Sequence, residues 1–564
     1  MSNMIAFNLK SGKKMISGLS IVKIAEEDQK YIRLITLFYF FSHFALLILT
    51  GWWWDDYCLF FSSQSALKNM ALDLGRPSLY FVISLGRLLP ASAFRIATFF
   101  IFYINALLLY RILSKFFFIN RIYATLIVLL YITFPANDVR ALSCIFPYIL
   151  GYFLFMVASY MLISYLRKEK NNEFIVRGLI LALFFISFTT GSNLVFYAIP
   201  LCYILYYLIS IKKDAFSIWK YSDFFAVPVV YFLLKNYFFP LGGEYKYIDY
   251  NVITLKRLEL AVRNLIPSMH DVLRSAISLL FDRFYVAVLL VVVFSLWYVY
   301  IKSKNNNFLS EYMEKEGCLT IKDYLFILLI GIFILSLAIF PYLAVGRASI
   351  SLAGLQGRDS LLVPLGAVLV LFSLVELLFR KWSKPLIYSM MIFCGVCHFN
   401  RYYLAYQQDY YKLLDFSHKV KENKEILSGK KNALFFPDKP TSIVDTVNVY
   451  SLTYNLSKVF NDESRFVMTK DGFKYYFHDD HSVNYMVSCG VYGMSDYKIR
   501  ADRKIDVILR YLNGPSIGET FKLKILELFN RKVFENRLFN GKSKLEILLP
   551  GSKDFDSCIN EADN

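Results

Sequence analysis

Two adjacent carboxylates, Asp55 and Asp56, follow three tryptophans in the stretch GWWWDDYCLFF, Gly51 to Phe61, just past the first long apolar run. Tryptophan favours the lipid–water boundary, because its ring is apolar and its N–H wants a polar partner. Paired acids beside hydrocarbon are costly, so they mark either a solvated loop that stops a helix or a group held for chemistry. A partly desolvated carboxylate can accept a proton from a sugar hydroxyl. Arg76, Asp138, Arg140, Tyr245, Lys246, Arg347, Arg358 and Asp359 all fall on the same predicted side of the chain. Guanidinium forks suit phosphate oxygens, being bidentate and always charged. Such a set fits transfer of a sugar from a lipid phosphate: a base, Asp55 or Asp56, activates the acceptor while cations stabilise the departing phosphate.

Plainer readings stand beside these. Arg347 and Arg358 also fit interfacial anchors, and Arg358–Asp359 a local ion pair at a helix start. Asp138 and Arg140 also fit a turn closed by their own charges, and Tyr245, Lys246 and Tyr247 an aromatic belt. Two tempting motifs are set aside. CGVCH, Cys394 to His398, has the spacing of a c-type haem attachment but lies inside an apolar run. HDDH, His478 to His481, reads as a solvated loop, so no metal site is expected. No cofactor is required by these residues, although a divalent cation is compatible with phosphate chemistry. No glycine-rich phosphate loop or Ser-His-Asp signature stands out.

The elements that must position these groups follow from composition. Of 564 residues, 57% are hydrophobic and 18% aromatic, with mean hydropathy +0.44. Soluble domains hold roughly 45–50% apolar residues, and repeated runs of about 20 apolar residues mean a polytopic helical membrane protein. The net charge of +18 lies largely in short loops between such runs. There it controls topology and attracts lipid phosphate, so nucleic acid is not an expected partner. Eight scattered cysteines make no disulfide framework. No cleavable signal is evident, so the first span is expected to act as an uncleaved insertion signal.

The fold class expected is an all-α polytopic bundle of about eleven transmembrane helices, with a small C-terminal α/β or α+β domain outside the membrane. Residues 1–30 form a cytoplasmic segment, 31–400 the membrane domain and 401–564 the external domain. The spans run from Tyr31 to Thr50, Phe94 to Leu113, Ile122 to Pro135, Tyr148 to Leu166, Val176 to Thr190 and Leu194 to Ile211. They continue from Phe224 to Phe239, Tyr285 to Ile301, Tyr324 to Tyr342, Leu361 to Phe379 and Leu386 to Phe399. Long external loops cover 51–93 and 240–284, both with helix-periodic leucines broken by Arg and Lys. Basic clusters place the N-terminus inside and the C-terminus outside. Within 401–564, ALFF and FVMT read as strands, IDVILRYL and LKILELF as helices. No inverted repeat of the transporter kind appears.

An acidic pair straight after the first span, with LGRPSLY about twenty residues on, resembles the bacterial serotype-converting O-antigen glucosyltransferases of the GT-C superfamily. Looser echoes are NDVRALSCIFPY, FTTGSNLVFY, FPLGGEYKYIDYN, and FPYLAVGR followed by GRDSLLVPLG. The resemblance covers roughly Tyr31 to Asn400. It implies a bacterial inner-membrane enzyme that moves a sugar, glucose in that family, from a polyprenyl-phosphate donor to a lipid-linked glycan or lipopolysaccharide on the periplasmic side. It implies Asp55 or Asp56 as base, Arg76 as a residue shaping the first loop, and as companions a flippase and a donor-synthesising transferase. The competing readings are an O-antigen polymerase or ligase, and a lipid-linked glycan transporter.

Overall fold

The computed structural model describes residues 26–437 and 449–563, apart from 54–55, 62–63, 117–118, 168–172, 191–192, 214, 241, 243–254, 282–287, 289–290, 293–294, 296–318, 346–349, 353–354, 381–382, 431, 462–465 and 470–504. The apolar runs fold as helices. In chain order these are α1 (Glu26–Ile48), α2 (Asp56–Phe61), α3 (Gln64–Asp73), α4 (Pro77–Gly86), α5 (Ala91–Phe116), α6 (Arg121–Thr133), α7 (Phe146–Arg167) and α8 (Glu173–Ser187). They continue with α9 (Asn193–Phe196), α10 (Ala198–Tyr206), α11 (Ser222–Phe238), α12 (Leu255–Phe281), α13 (Ile321–Ala344), α14 (Val363–Leu378) and α15 (Lys384–Glu422). Capping residues set several starts. The Asn120 side chain accepts the Ile122 N–H at 3.1 Å, and Thr320 and Asp323 close a reciprocal capping box on α13.

Among the described residues, five helices are long and apolar enough to cross a membrane: Asp28–Ile48, Ala91–Lys115, Ser143–Arg167, Asn193–Ile211 and Ile321–Ala344. Their outward faces are apolar too, with Phe41 of α1 and Leu329 of α13 exposed. Such faces suit lipid and not water, as in a membrane protein. Among the described residues, these five do not confirm the expected count of about eleven. At 1.5 Å per residue, the 13 residues of α6 span about 20 Å against a hydrocarbon core of about 30 Å. Instead α6 is buried inside the bundle and runs into irregular backbone covered by protein. The expected span from Tyr285 to Ile301 lies almost wholly outside the described residues. The first long loop carries the short helices α3 and α4, and the second carries amphipathic α12, a continuous helix with Pro267 inside it.

Glycines set the closest crossings. A Cβ on Gly366 of α14 would meet the Leu335 backbone of α13, and one on Gly395 of α15 would land on the Thr133 carbonyl of α6. Helix α1 packs against α5, α6 and α15.

The boundary expected between 400 and 401 falls inside α15, a single helix of 39 residues. At about 58 Å it outreaches any bilayer, and its second half carries the C-terminal domain. That domain adds β1 (Asn432–Pro437), α16 (Val449–Phe460), β2 (Phe466–Thr469), β3 (Val507–Leu512), α17 (Ile517–Phe529), α18 (Arg531–Phe539), β4 (Lys544–Leu548) and α19 (Lys553–Asp563). The sheet order is β2-β1-β3-β4, parallel except for β4. Phe416 of α15 meets Phe435 of β1 edge-on at 5.3 Å, and Tyr511 of β3 donates to Asp415 of α15 at 2.6 Å. IDVILRYL, expected as a helix, is therefore strand β3. Its run Val507, Ile508 and Leu509 is wholly buried, and an apolar run covered on both faces does not distinguish strand from helix by period.

Candidate active site

The segment between α1 and α2 is held from three directions. Gly51 has φ +102, and a Cβ there would strike the Tyr410 ring of α15. Trp53 is buried, its indole N–H donating to the Tyr406 carbonyl at 2.7 Å. It is thus a core residue and not the interfacial anchor its type suggested. Arg95, also buried, sits over the Trp53 ring at 4.1 Å. Its guanidinium donates to the carbonyls of Leu49 (3.1 Å), Ala141 (3.1 Å) and Gly51. Sequence reasoning passed over Arg95. The available signal was a lone charge inside the run AFRIATFF. Arg95→Met leaves three carbonyls without their donor and is expected to cost about 3 kcal/mol, read as a drop in the thermal unfolding midpoint of purified protein.

The C-terminal domain grips the same segment. Gln407 of α15 accepts the Thr50 N–H at 3.0 Å. The Thr50 hydroxyl lies 3.2 Å from Glu527 of α17, which is ion-paired with Lys524 at 2.5 Å. Tyr411 donates to Glu527 at 2.8 Å. The Trp–Asp segment is therefore fixed jointly by the bundle and the added domain.

Asp56 opens α2 and is fully buried. One carboxylate oxygen accepts the Cys144 N–H at 2.7 Å; the other accepts the N–H groups of Trp53 at 3.2 Å and Ser143 at 3.3 Å. Burial pushes its pKa from 3.8 up to about 6, against the opposite pull of Arg95 and these donors. In this arrangement Asp56 joins the first loop to the turn before α7. Asp55 lies outside the described residues.

That turn contains Asp138 and Arg140, both buried in the one-turn helix Asp138–Ala141. Arg140 closes it by donating to the carbonyls of Asn137 at 2.7 Å and Ala136 at 2.9 Å, between the rings of Phe102 and Phe399. Asn137, at φ 57, gives its N–H to Ser360 at 3.0 Å. A Cβ on Gly357 would lie 3.1 Å from the Asp138 carboxylate. The Asp138 turn and the Leu355–Ser360 turn, which carries Arg358, are thus docked together. Tyr245, Lys246 and Arg347 lie outside the described residues, as does the segment 478–481.

The LGRPSLY motif resolves into a turn and one surplus charge. The N–H groups of Gly75 and Arg76 donate to the carbonyls of Leu72 and Ala71 at 2.8 Å each. That is a Schellman ending for α3, with Gly75 at φ +62 and Pro77 opening α4. Backbone geometry accounts for Gly75 and Pro77 but not for the Arg76 side chain. Its guanidinium donates to Tyr148 at 2.9 Å at a crevice of about 80 Å³ lined by Leu79, Val82, Leu150, Leu154 and Ile186. Lys235 of α11 lies near enough for the two positive charges to repel. Among the described residues, no ion pair is formed by either cation.

Cys394 and His398 of the CGVCH segment are buried within α15, beside the Gly395–Thr133 crossing. Among the described residues, no group of three or more His, Cys, Asp and Glu side chains could hold a metal ion. No protein-family model, no curated protein and no solved structure matches the chain.

Proposed function

We propose that the protein is a GT-C-like integral-membrane glycosyltransferase, moving a hexose from a polyprenyl-phosphate donor to an O-antigen or related lipid-linked glycan. The observation that carries this reading is the placement of the Arg76 guanidinium at an apolar crevice, with the Lys235 charge near enough to be felt there. Two neighbouring cations without a carboxylate repel one another, and a phosphate between them removes that cost. The crevice beside them offers an apolar wall to the first isoprene units. Helix α4, with Phe81, Leu85 and Leu88 on and beside it exposed, has the character of a segment resting in the membrane interface.

In this reading Asp55 takes the proton of the acceptor hydroxyl, and the acceptor oxygen forms the new bond to the anomeric carbon. The bond from that carbon to the phosphate oxygen breaks, and polyprenyl phosphate leaves with the electron pair. Arg76 and Lys235 receive the charge that develops on it. Asp56 is the positioning residue that holds the loop. The site faces the periplasm of a bacterial inner membrane, with the N-terminus cytoplasmic and α15 leading out to the C-terminal domain. The remaining crossings of the eleven are made by shorter helices, where the bilayer thins locally or irregular backbone buried in protein continues them.

Donor titration tests the phosphate assignment. Arg76→Gln and Lys235→Gln are each expected to raise the KM for polyprenyl-phosphate hexose about tenfold, about 1.4 kcal/mol, with kcat changed less. Unchanged donor KM in both variants refutes it.

A further inference from the structure

Helix α17 of the C-terminal domain has two unlike faces. Thr520, Leu523 and Lys524 are buried, and the helix packs against α15. From that side Glu527 meets the Thr50 hydroxyl at 3.2 Å and accepts from Tyr411 at 2.8 Å. Phe521, Ile525, Leu528 and Phe529 recur every three or four residues and so form a second face. All four are exposed, Phe529 at 84%, and exposed Val533 of α18 follows them. Single exposed apolar residues are ordinary on a protein surface, but a contiguous row of this kind marks a surface that something covers.

The position of α17 points to what covers it. Its partner Thr50 lies two residues past the end of α1, a helix apolar enough to cross a membrane. The outward row of that helix, Leu37, Phe40, Phe41 and Phe44, is exposed to the same degree as the row on α17. Phe44 precedes Thr50 by six residues, about 9 Å at the helical rise. Each headgroup layer is about 5–8 Å deep outside a core of about 30 Å, so α17 sits where the lipid-facing band of α1 passes into headgroups. Lys522 and Lys532 are exposed near the row. From there an ammonium stays among polar headgroups while its stem lies along apolar surface.

We infer that this face of α17 is a membrane-docking surface, with Phe521, Ile525, Leu528 and Phe529 seated in the interface of the leaflet at the outer end of α1. The inference rests on the membrane character of the bundle and not on sugar transfer. Docked there, α17 sets the height of the Gly51–Trp53 segment, which its other face holds through Thr50.

Footprinting of the full-length wild type in nanodiscs tests this without any assay of transfer. One sample contains phosphatidylcholine with a diazirine at the glycerol end of an acyl chain. A parallel sample is oxidised with hydroxyl radicals, and both are mapped by mass spectrometry. Phe44 of α1 sets the label expected of a lipid-facing side chain. Ile426 is the aqueous control, an exposed apolar residue beyond the end of α15 at Glu422, itself about 22 Å along the helix from Gln407. The four residues of α17 are expected to take at least about fivefold more lipid label than Ile426, and to be oxidised less, as apolar side chains in the interface should. Residues left unlabelled and oxidised as readily as Ile426 face water, which overturns the inference. Residues left unlabelled but protected are covered by protein, which overturns it equally; a dimer in native mass spectrometry would identify that cover as a second copy.

Discussion

Asp55→Asn is expected to lower sugar transfer by about a hundredfold or more, the size of a lost general base, while insertion and thermal stability stay unchanged. Asp56→Asn is expected to behave differently, because its carboxylate is sealed inside the protein and already holds the N–H groups of Trp53, Ser143 and Cys144. An amide presents N–H to one or more of these donors, so the main loss is of stability. The pH dependence separates the two residues further. Burial raises the folded pKa of Asp56 from 3.8 to about 6, so the folded state binds the proton more tightly than the unfolded chain. Its contribution to stability is therefore greatest below about pH 4 and declines as pH rises to about 6, by at most about 3 kcal/mol, then stays level. The gap in thermal midpoint between wild type and Asp56→Asn should be widest near pH 4 and narrow toward pH 7. If Asp56→Asn loses transfer with its stability intact, the roles of the two acids are reversed.

Gly395→Val is expected to be the most damaging single change in the bundle. Even a Cβ at this position would fall on the Thr133 carbonyl of α6, and backbone cannot move aside as a flexible side chain can. Helices α15 and α6 must separate, which disturbs α1, packed against both, and the Gly51–Trp53 segment that Tyr406 of α15 holds. A loss above about 4 kcal/mol, or failure to recover monodisperse protein, is the expected result. Gly178→Ala is the control: it lies in α8 with open space around its missing Cβ, and a change below about 1 kcal/mol is expected. Size-exclusion chromatography and thermal unfolding in one detergent compare the three proteins. Equal stability of Gly395→Val and wild type would contradict the crossing.

Much of the fold was legible because hydrophobic runs reveal helices directly. The α5, α7 and α13 runs were placed within a few residues of their observed ends, and ALFF and FVMT proved to be strands. The domain boundary was not legible from polarity, since α15 continues past Asn400 as its surface changes from apolar to polar. A helical signal was nevertheless present: Phe399, Tyr402, Tyr406, Asp409, Leu413, Phe416 and Val420 recur every three or four residues and are all buried. The strand β3 was misread because its apolar run lacks a period.

The site was legible in part. Arg76 stood out through its turn motif, and the structure places its side chain at a crevice beside Tyr148. The hydrogen bonds of Asp56 could not be read, because Ser143 and Cys144 lie 87 and 88 residues away along the chain. Arg95 was hidden by the hydrophobicity around it. The hold of α17 on Thr50 joins residues 477 apart, which no local pattern encodes.

Transfer of a sugar from a lipid phosphate is tested most directly in proteoliposomes. Purified protein in proteoliposomes is given polyprenyl-phosphate glucose labelled in the sugar, together with a lipid-linked glycan acceptor. Label is expected to appear on the acceptor, with one polyprenyl phosphate released for each sugar moved and the signal lost in Asp55→Asn. Label that stays on every polyprenyl-phosphate hexose offered, while the lipid-linked glycan itself is lengthened or carried across the membrane, would contradict it and identify a polymerase or a flippase instead.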